Sequence, residues 1–286
     1  MTEEFRIEHD TMGEVKVPAQ ALYRAQTQRA VENFPISGST LESAHIAALA
    51  QVKKAAARAN EELGVLDAER SQAIQTAADA VIAGEHDGEF PIDVFQTGSG
   101  TSSNMNANEV IAALASARGR KAHPNDHVNL GQSSNDVIPT ALRVGAVLAA
   151  EEDLQPAILH LRRTIDRRAR GLKKVVKTGR THLMDAMPLT FAQEFGAWSA
   201  QLESAQARIA DALKRLRRLP IGGTAIGTGI NADPRFGARV CAALSKQTRV
   251  KFASAENRFE GIAAQDDAVE MSGQLNALAV ALMKID

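Results

Sequence analysis

The sequence is most informative first in what it has little of. Cys241 is its only cysteine, so no intrachain disulfide can form, and zinc sites built on several cysteines are excluded. Aromatic residues make up 4% of the 286 residues, while alanine alone supplies 51. A large β-sandwich or barrel draws on aromatic and β-branched side chains, so this balance argues against one and for helices packed closely through small side chains. The net charge of −1 lacks the basic surplus of a nucleic-acid binder. No apolar run reaches the roughly 18 residues of a membrane span. The first residues, Met-Thr-Glu-Glu-Phe-Arg, are acidic and lack the apolar core of a signal peptide. Cytoplasmic location with no membrane partner is the expectation.

The length suggests about two domains of roughly 150 residues each. Residues 1–38 read as irregular, punctuated by Gly13, Pro18, Pro35 and Gly38. A helix is expected from Leu41 to Leu63, with Ser39 or Thr40 as cap and Gly64 as stop, and a second that begins after Asp67 and stops at Gly84. Residues 85–103 read as loop, Asn104–Ala117 as helix, 118–135 as irregular, and Ser134–Glu152 as helix with Pro139 inside. Asp153 is expected to cap a helix that ends near Gly171. Between Pro188 and Arg218, the residues Phe191, Phe195, Trp198, Leu202, Ala205, Ile209, Leu213 and Leu216 recur at steps of three and four. This predicts one helix about 45 Å long, either part of a bundle shared between subunits or a long core helix of a monomer. Asp233-Pro234 predicts a capped helix to Lys246, and a last helix runs from Gly261. The apolar ending at 275–286, with no glycine stop, reads either as an ordinary terminal helix or as a chain cut inside an element. Nine Lys and Arg against one acid between Arg162 and Arg180 read as a solvated face, or as a source of steering for an anion.

Four polar segments at helix starts carry the candidate chemistry. Thr97-Gly-Ser-Gly-Thr-Ser-Ser-Asn104 offers hydroxyls and backbone N–H groups to an anion, without the Gly-Lys-Ser/Thr ending of a phosphate loop. In Arg120-Lys-Ala-His-Pro-Asn-Asp-His127, the pair His123 and His127 invites a metal, but Pro124 intervenes and no third ligand is evident, so a carboxylate-binding patch is the better reading. Gly131-Gln-Ser-Ser-Asn-Asp136 places Ser133, Ser134 and Asn135 at the positive end of a helix. Lys177-Thr-Gly-Arg-Thr-His-Leu-Met-Asp185 puts His182 beside Thr181 in a loop before the long helix, either structural or a proton-transfer group. The set suits a small, charged, oxygen-rich ligand.

Seven segments in order then resemble class II fumarate hydratases of the aspartase/fumarase superfamily: Arg6–Gly13, Ala25–Phe34, Thr97–Glu109, His123–Asn129, Gln132–Asp136, Gly179–Asp185 and Gly222–Asn231. The resemblance implies a mainly α fold, with an N-terminal lyase domain over 1–135 and a central helical-bundle domain over 136–286 whose C-terminal part is missing. It implies a homotetramer and reversible hydration of fumarate to (S)-malate in the tricarboxylic acid cycle, with no cofactor and no metal. Carried over residue by residue, His182 is the catalytic histidine. Ser99, Gly100, Thr101, Ser133, Ser134, Asn135 and Thr181 bind the dicarboxylate substrate, fumarate or malate. Arg120, His123, Asn125 and Asp126 match a second dicarboxylate site. The family's Gly-Ser-Ser-x-Met-Pro-x-Lys-x-Asn loop, with its basic serine, does not occur in these residues. Its absence turns the open reading of the last helix toward a cut chain, and implies that these residues alone are inactive. Aspartate ammonia-lyase is the alternative within the superfamily, though it commonly has Ser-Thr-Asn where Ser133-Ser134-Asn135 stand. A non-catalytic helical assembly fragment is the alternative outside it.

Overall fold

The computed structural model describes residues 4–117 and 119–286 and is mainly helical, as expected. Residues 1–3 and 118 of the segments expected to be irregular lie outside the described residues. The chain forms two compact units, Met1–Ala146 with Arg217–Gln265, and Val147–Leu216 with Asp266–Asp286. They are drawn differently from the domains expected at 1–135 and 136–286, because 217–265 returns to pack with the N-terminal part.

The first unit opens with an antiparallel hairpin, β1 (Phe5–Asp10) and β2 (Gly13–Pro18), followed by α1 (Ala25–Asn33). The described residues 4–38 are therefore not irregular as expected. What holds them is distant in sequence. The Arg6 guanidinium donates to the carbonyls of Pro18, Ala19, Ala21 and Tyr23 at 2.6–3.1 Å. Helix α1 has no side-chain cap of its own. Glu109, far along the chain and buried, accepts instead from the backbone N–H groups of Arg24, Gln26 and Thr27 and from the Thr27 hydroxyl.

Helix α2 (Ser43–Glu62) starts after Glu42, so neither Ser39 nor Thr40 caps it. Gly64 does end it, at a positive φ of 75°. Helix α3 (Ala68–Ile82) begins after Asp67, as expected, and Asp67 caps it by accepting from Arg70 N–H. Helix α4 (Thr101–Ala117) begins three residues before the predicted Asn104. Between α2, α3 and α4 lies the main core, with Ile46, Ala50, Ala57, Ile74, Val81, Val110 and Ile111 all nearly or fully buried. Alanines on the facing surfaces let these helices approach closely. Helix α5 (Ser134–Ala149) follows a π-helical turn at Pro124–Val128 and contains Pro139.

In the second unit α5 passes through a π-helical turn, Ala150–Leu154, into α6 (Gln155–Gly171). Asp153 lies inside that turn and caps nothing, because the backbone never leaves the helical region there. A hairpin of β3 (Val176–Thr181) and β4 (Met184–Thr190) precedes α7 (Phe191–Leu216), so the long helix starts at Phe191 rather than Pro188. Its seam divides in two. Leu202, Ala205, Ile209, Leu213 and Leu216 are buried against neighbouring helices, while Phe191, Phe195 and Trp198 are half-buried and pack on one another.

Back in the first unit, the strand pair β5 (Arg218–Leu219) and β6 (Ala253–Ser254) is parallel, and α8 (Phe236–Thr248) packs on α2. Asp233 accepts from Arg235 N–H in a turn one step before α8, so the predicted cap is displaced from the helix itself. The expected last helix is broken at Ala264-Gln265 into α9 (Arg258–Ala263) and α10 (Asp266–Ile285). On α10, Met271, Leu278 and Ala281 are buried, whereas Val269, Val280 and Met283 are exposed.

Candidate functional site

Two of the polar segments meet in the first unit. The turn ending in Gly100, with φ +66°, delivers the chain into α4, and a Cβ there would press on Ile138 of α5 at 3.1 Å. The Ser99 and Thr101 hydroxyls share a hydrogen bond of 2.8 Å, and Thr101 N–H donates to Thr97 Oγ1. In the first turn of α4, Asn104 donates from Nδ2 to Ser134 Oγ at 2.9 Å, at the first residue of α5. The N-terminal ends of two helices, both positive, are thus held side by side with hydroxyls between them.

The second segment is stretched taut by Asp136. Its carboxylate accepts from Ser133 N–H and, across the unit, from Gly222 N–H and Thr224 N–H, each at 2.9 Å. Burial pushes its pKa up to about 6, although those three hydrogen bonds and the Lys53 charge pull the other way. Asn135 Nδ2 donates to Ala225 O at 2.8 Å, which ties the same loop to the glycine-rich 222–231 segment a second time. That segment needs glycine where it crosses α8. A Cβ on Gly222, already at φ +87°, would lie 2.8 Å from Gly237 Cα.

Behind the loops lies a residue that reading the sequence did not single out. Lys53 is fully buried on α2, and its ammonium donates to Asn129 Oδ1 and Gln132 Oε1 at 2.9 Å each. Burial lowers its pKa to about 7, with Asp136 opposing. One signal was available: a lysine beside Val52 and four residues after Leu49, on an otherwise apolar stripe. Asn104 and Asn129 carried no comparable signal. The sole thiol, Cys241, is buried and pushed up to about 12, so it is not a nucleophile.

Arg120, His123, Asn125 and Asp126 fall on an exposed stretch around the π-helical turn. Arg120 reaches Glu69 at 3.2 Å and Asp67 at 3.9 Å. His123 Nδ1 accepts from Asp126 N–H, so the neutral ring carries its proton on Nε2. His127 Nδ1 accepts from His123 N–H at 2.8 Å.

Thr181 and His182 belong to the second unit. They stand not in an open loop but at the tip of the β3–β4 hairpin, where Thr181 pairs with Met184. His182 and Leu183 form its two-residue turn, at φ +51° and +58°. Leu183 is fully exposed there, and a leucine in the left-handed region costs on the order of 1 kcal/mol. The basic run beside the hairpin is mostly solvated, with Arg162 paired to Glu203 and Lys177 to Glu194.

A helical scaffold that sets two helix ends and a knot of serine and asparagine side chains against one another is a lyase framework by direct comparison: the lyase family model matches residues 13–286, and the chain belongs to that family. The relatives are more particular. The chain is 64% identical over 285 residues to a fumarate hydratase class II of Xylella fastidiosa (strain 9a5c), covering 99% of this chain and 60% of that protein. It is 58% identical over 287 residues to that of Corynebacterium glutamicum, covering 100% and 61%. In structure it matches a recombinant class II fumarase from Schistosoma mansoni with a TM-score of 0.95 at 36% identity, over 99% of this chain and 64% of that one. The resemblance read from seven segments is borne out. The chain spans about 60% of the length of the curated relatives it matches.

Proposed function

We propose that the chain forms the substrate-binding part of a fumarate hydratase, which adds water reversibly to fumarate to give (S)-malate in the tricarboxylic acid cycle. The observation that carries this reading is the pairing of the α4 and α5 starts through Asn104 and Ser134. The chemical problem is the weakly acidic C3–H of malate. Its removal becomes feasible when the adjacent carboxylate takes up the charge as an aci-carboxylate, which calls for preorganised donors. Ser99, Gly100, Thr101, Ser133, Ser134 and Asn135 of the first unit supply them; by the resemblance, Thr181 of the second unit is also a substrate-binding residue, and His182 is the catalytic histidine that manages the water. Losing one such donor typically costs ~10²–10³ in rate. Arg120, His123, Asn125 and Asp126 form a second dicarboxylate site, and no cofactor takes part.

The domains at 1–135 and 136–286 are the lyase domain and a helical bundle, which four copies pool in the cytoplasm. The exposed Val269, Val280 and Met283 of α10 support that assembly. Because the Gly-Ser-Ser-x-Met-Pro-x-Lys-x-Asn loop is absent from these residues, the 286-residue chain alone is expected to show negligible turnover. The test supplies malate and aspartate separately to a protein in which this chain is joined to that loop. The absorbance of the fumarate double bond should appear from malate; its appearance from aspartate only would overturn the assignment.

A further inference from the structure

The buried lysine dictates which way three neighbouring side chains face. An ammonium donates hydrogen bonds and accepts none. Asn129 and Gln132, both bonded to Lys53 Nζ, must therefore turn their oxygens toward it. Asn129 Oδ1 takes a second hydrogen bond from Asn104 Nδ2 at 3.3 Å, and since a carbonyl oxygen only accepts, the nitrogen of Asn104 has to face it. The same nitrogen has one hydrogen left, and it goes to Ser134 Oγ at 2.9 Å. Ser134 is consequently the acceptor in that contact, and its own proton is directed elsewhere. Nothing on the other side of the amide enforces this arrangement. Asn104 is fully buried and its Oδ1 has no partner among the described residues. A flipped Asn104 would offer that oxygen to Ser134 and consume the serine proton.

We propose that Lys53 is a positioning residue which, acting through Asn129 and Asn104, holds the Ser134 hydroxyl as a hydrogen-bond donor toward a bound carboxylate. This rests on the reading of 97–104 and 131–136 as a carboxylate site. Lys53 never touches the ligand. It sets the direction of a chain of hydrogen bonds that is anchored on two fully buried side chains, Lys53 and Asn104, and runs through the half-buried Asn129 to the half-buried Ser134.

The test uses the 286-residue chain, with succinate as an unreactive dicarboxylate probe and NMR as the readout. In Lys53→Met, the side-chain amide signals of Asn104, which is not hydrogen-bonded to Lys53, should shift. Succinate binding, read on the backbone amides of Ser133–Asn135, should weaken at least tenfold, while exchange protection along α2 persists. Asn129→Leu leaves Lys53 bonded to Gln132 but cuts the relay, and should weaken succinate binding as much; it decides the matter if Lys53→Met does not fold. Binding within twofold of the parent in Asn129→Leu, or unmoved Asn104 signals in Lys53→Met, overturns the proposal. If the parent chain binds no succinate, the carboxylate-site reading fails, and the Asn104 signals alone decide the relay: shifted supports it, unmoved refutes it.

Discussion

The Lys53–Asp136 region imposes an unusual dependence of stability on pH. Asp136 is an acid whose pKa rises on folding, from 3.8 to about 6. Between those values the folded state holds a proton that the unfolded chain has released, so this group lowers stability as pH rises through that window. Lys53 is a base whose pKa falls on folding, from 10.5 to about 7. Between 7 and 10.5 the unfolded chain holds the extra proton, and stability climbs with pH. The two slopes meet near neutrality in a trough. At about 1.4 kcal/mol per pKa unit, the acid side falls by on the order of 3 kcal/mol and the alkaline side recovers by a similar or larger amount. Most other groups superpose ordinary slopes, so the difference between the parent chain and Lys53→Met is the quantity to measure. Urea midpoints from pH 4 to 10, read from exchange protection of the α2 amides, give it directly. The variant should lose the alkaline rise. Its acid-side fall should move to higher pH, because the Lys53 charge is one of the influences that restrain the Asp136 pKa. Parallel curves for the two proteins across pH 7–10 would refute the reasoning.

Three other perturbations have defined outcomes. Glu109→Ala removes the acceptor for three backbone donors and the buried Thr27 hydroxyl. The N–H and hydroxyl of Thr27 are the two donors left buried and unpaired, and at about 1–3 kcal/mol each urea unfolding should show a loss of at least about 2 kcal/mol. Gly179→Ala would place a Cβ 2.7 Å from Met187 O at the irregular step of the β3–β4 ladder, and should abolish the cross-strand amide contacts between Lys177 and Leu189. Asp93 is held down to about 2 despite the opposing effect of burial, because Phe95, Ser37 and Gly38 all donate to it. Its stabilisation is full above pH 3.8 and lost as pH falls toward 2, so Asp93→Asn should flatten the acid limb of the stability curve.

Where an element is maintained by its own neighbours, its residues could be read in order. Gly64 and Gly84 end α2 and α3, Asp67 caps α3, and the stripe from Leu202 to Leu216 marks α7. Where the support comes from afar, the reading failed. The β1–β2 hairpin depends on the reach of Arg6 to carbonyls up to Tyr23, and α1 on Glu109. The sequence around His182 reads as a loop because neither flanking run alternates cleanly enough to announce a strand. The serine and asparagine segments were legible as sites through their composition and their resemblance, but the lysine behind them was only a misplaced charge on an apolar stripe.

By itself, the sequence determined the helical class, most helix stops, and the polar segments that could meet a carboxylate, since periodicity, glycine and caps act within a turn or two of chain. Tertiary structure decided which polar groups donate and which accept. A buried side chain must find its partner wherever the fold brings one, and Lys53, Asn129, Asn104 and Ser134 come together from three helices and a loop that no local rule connects.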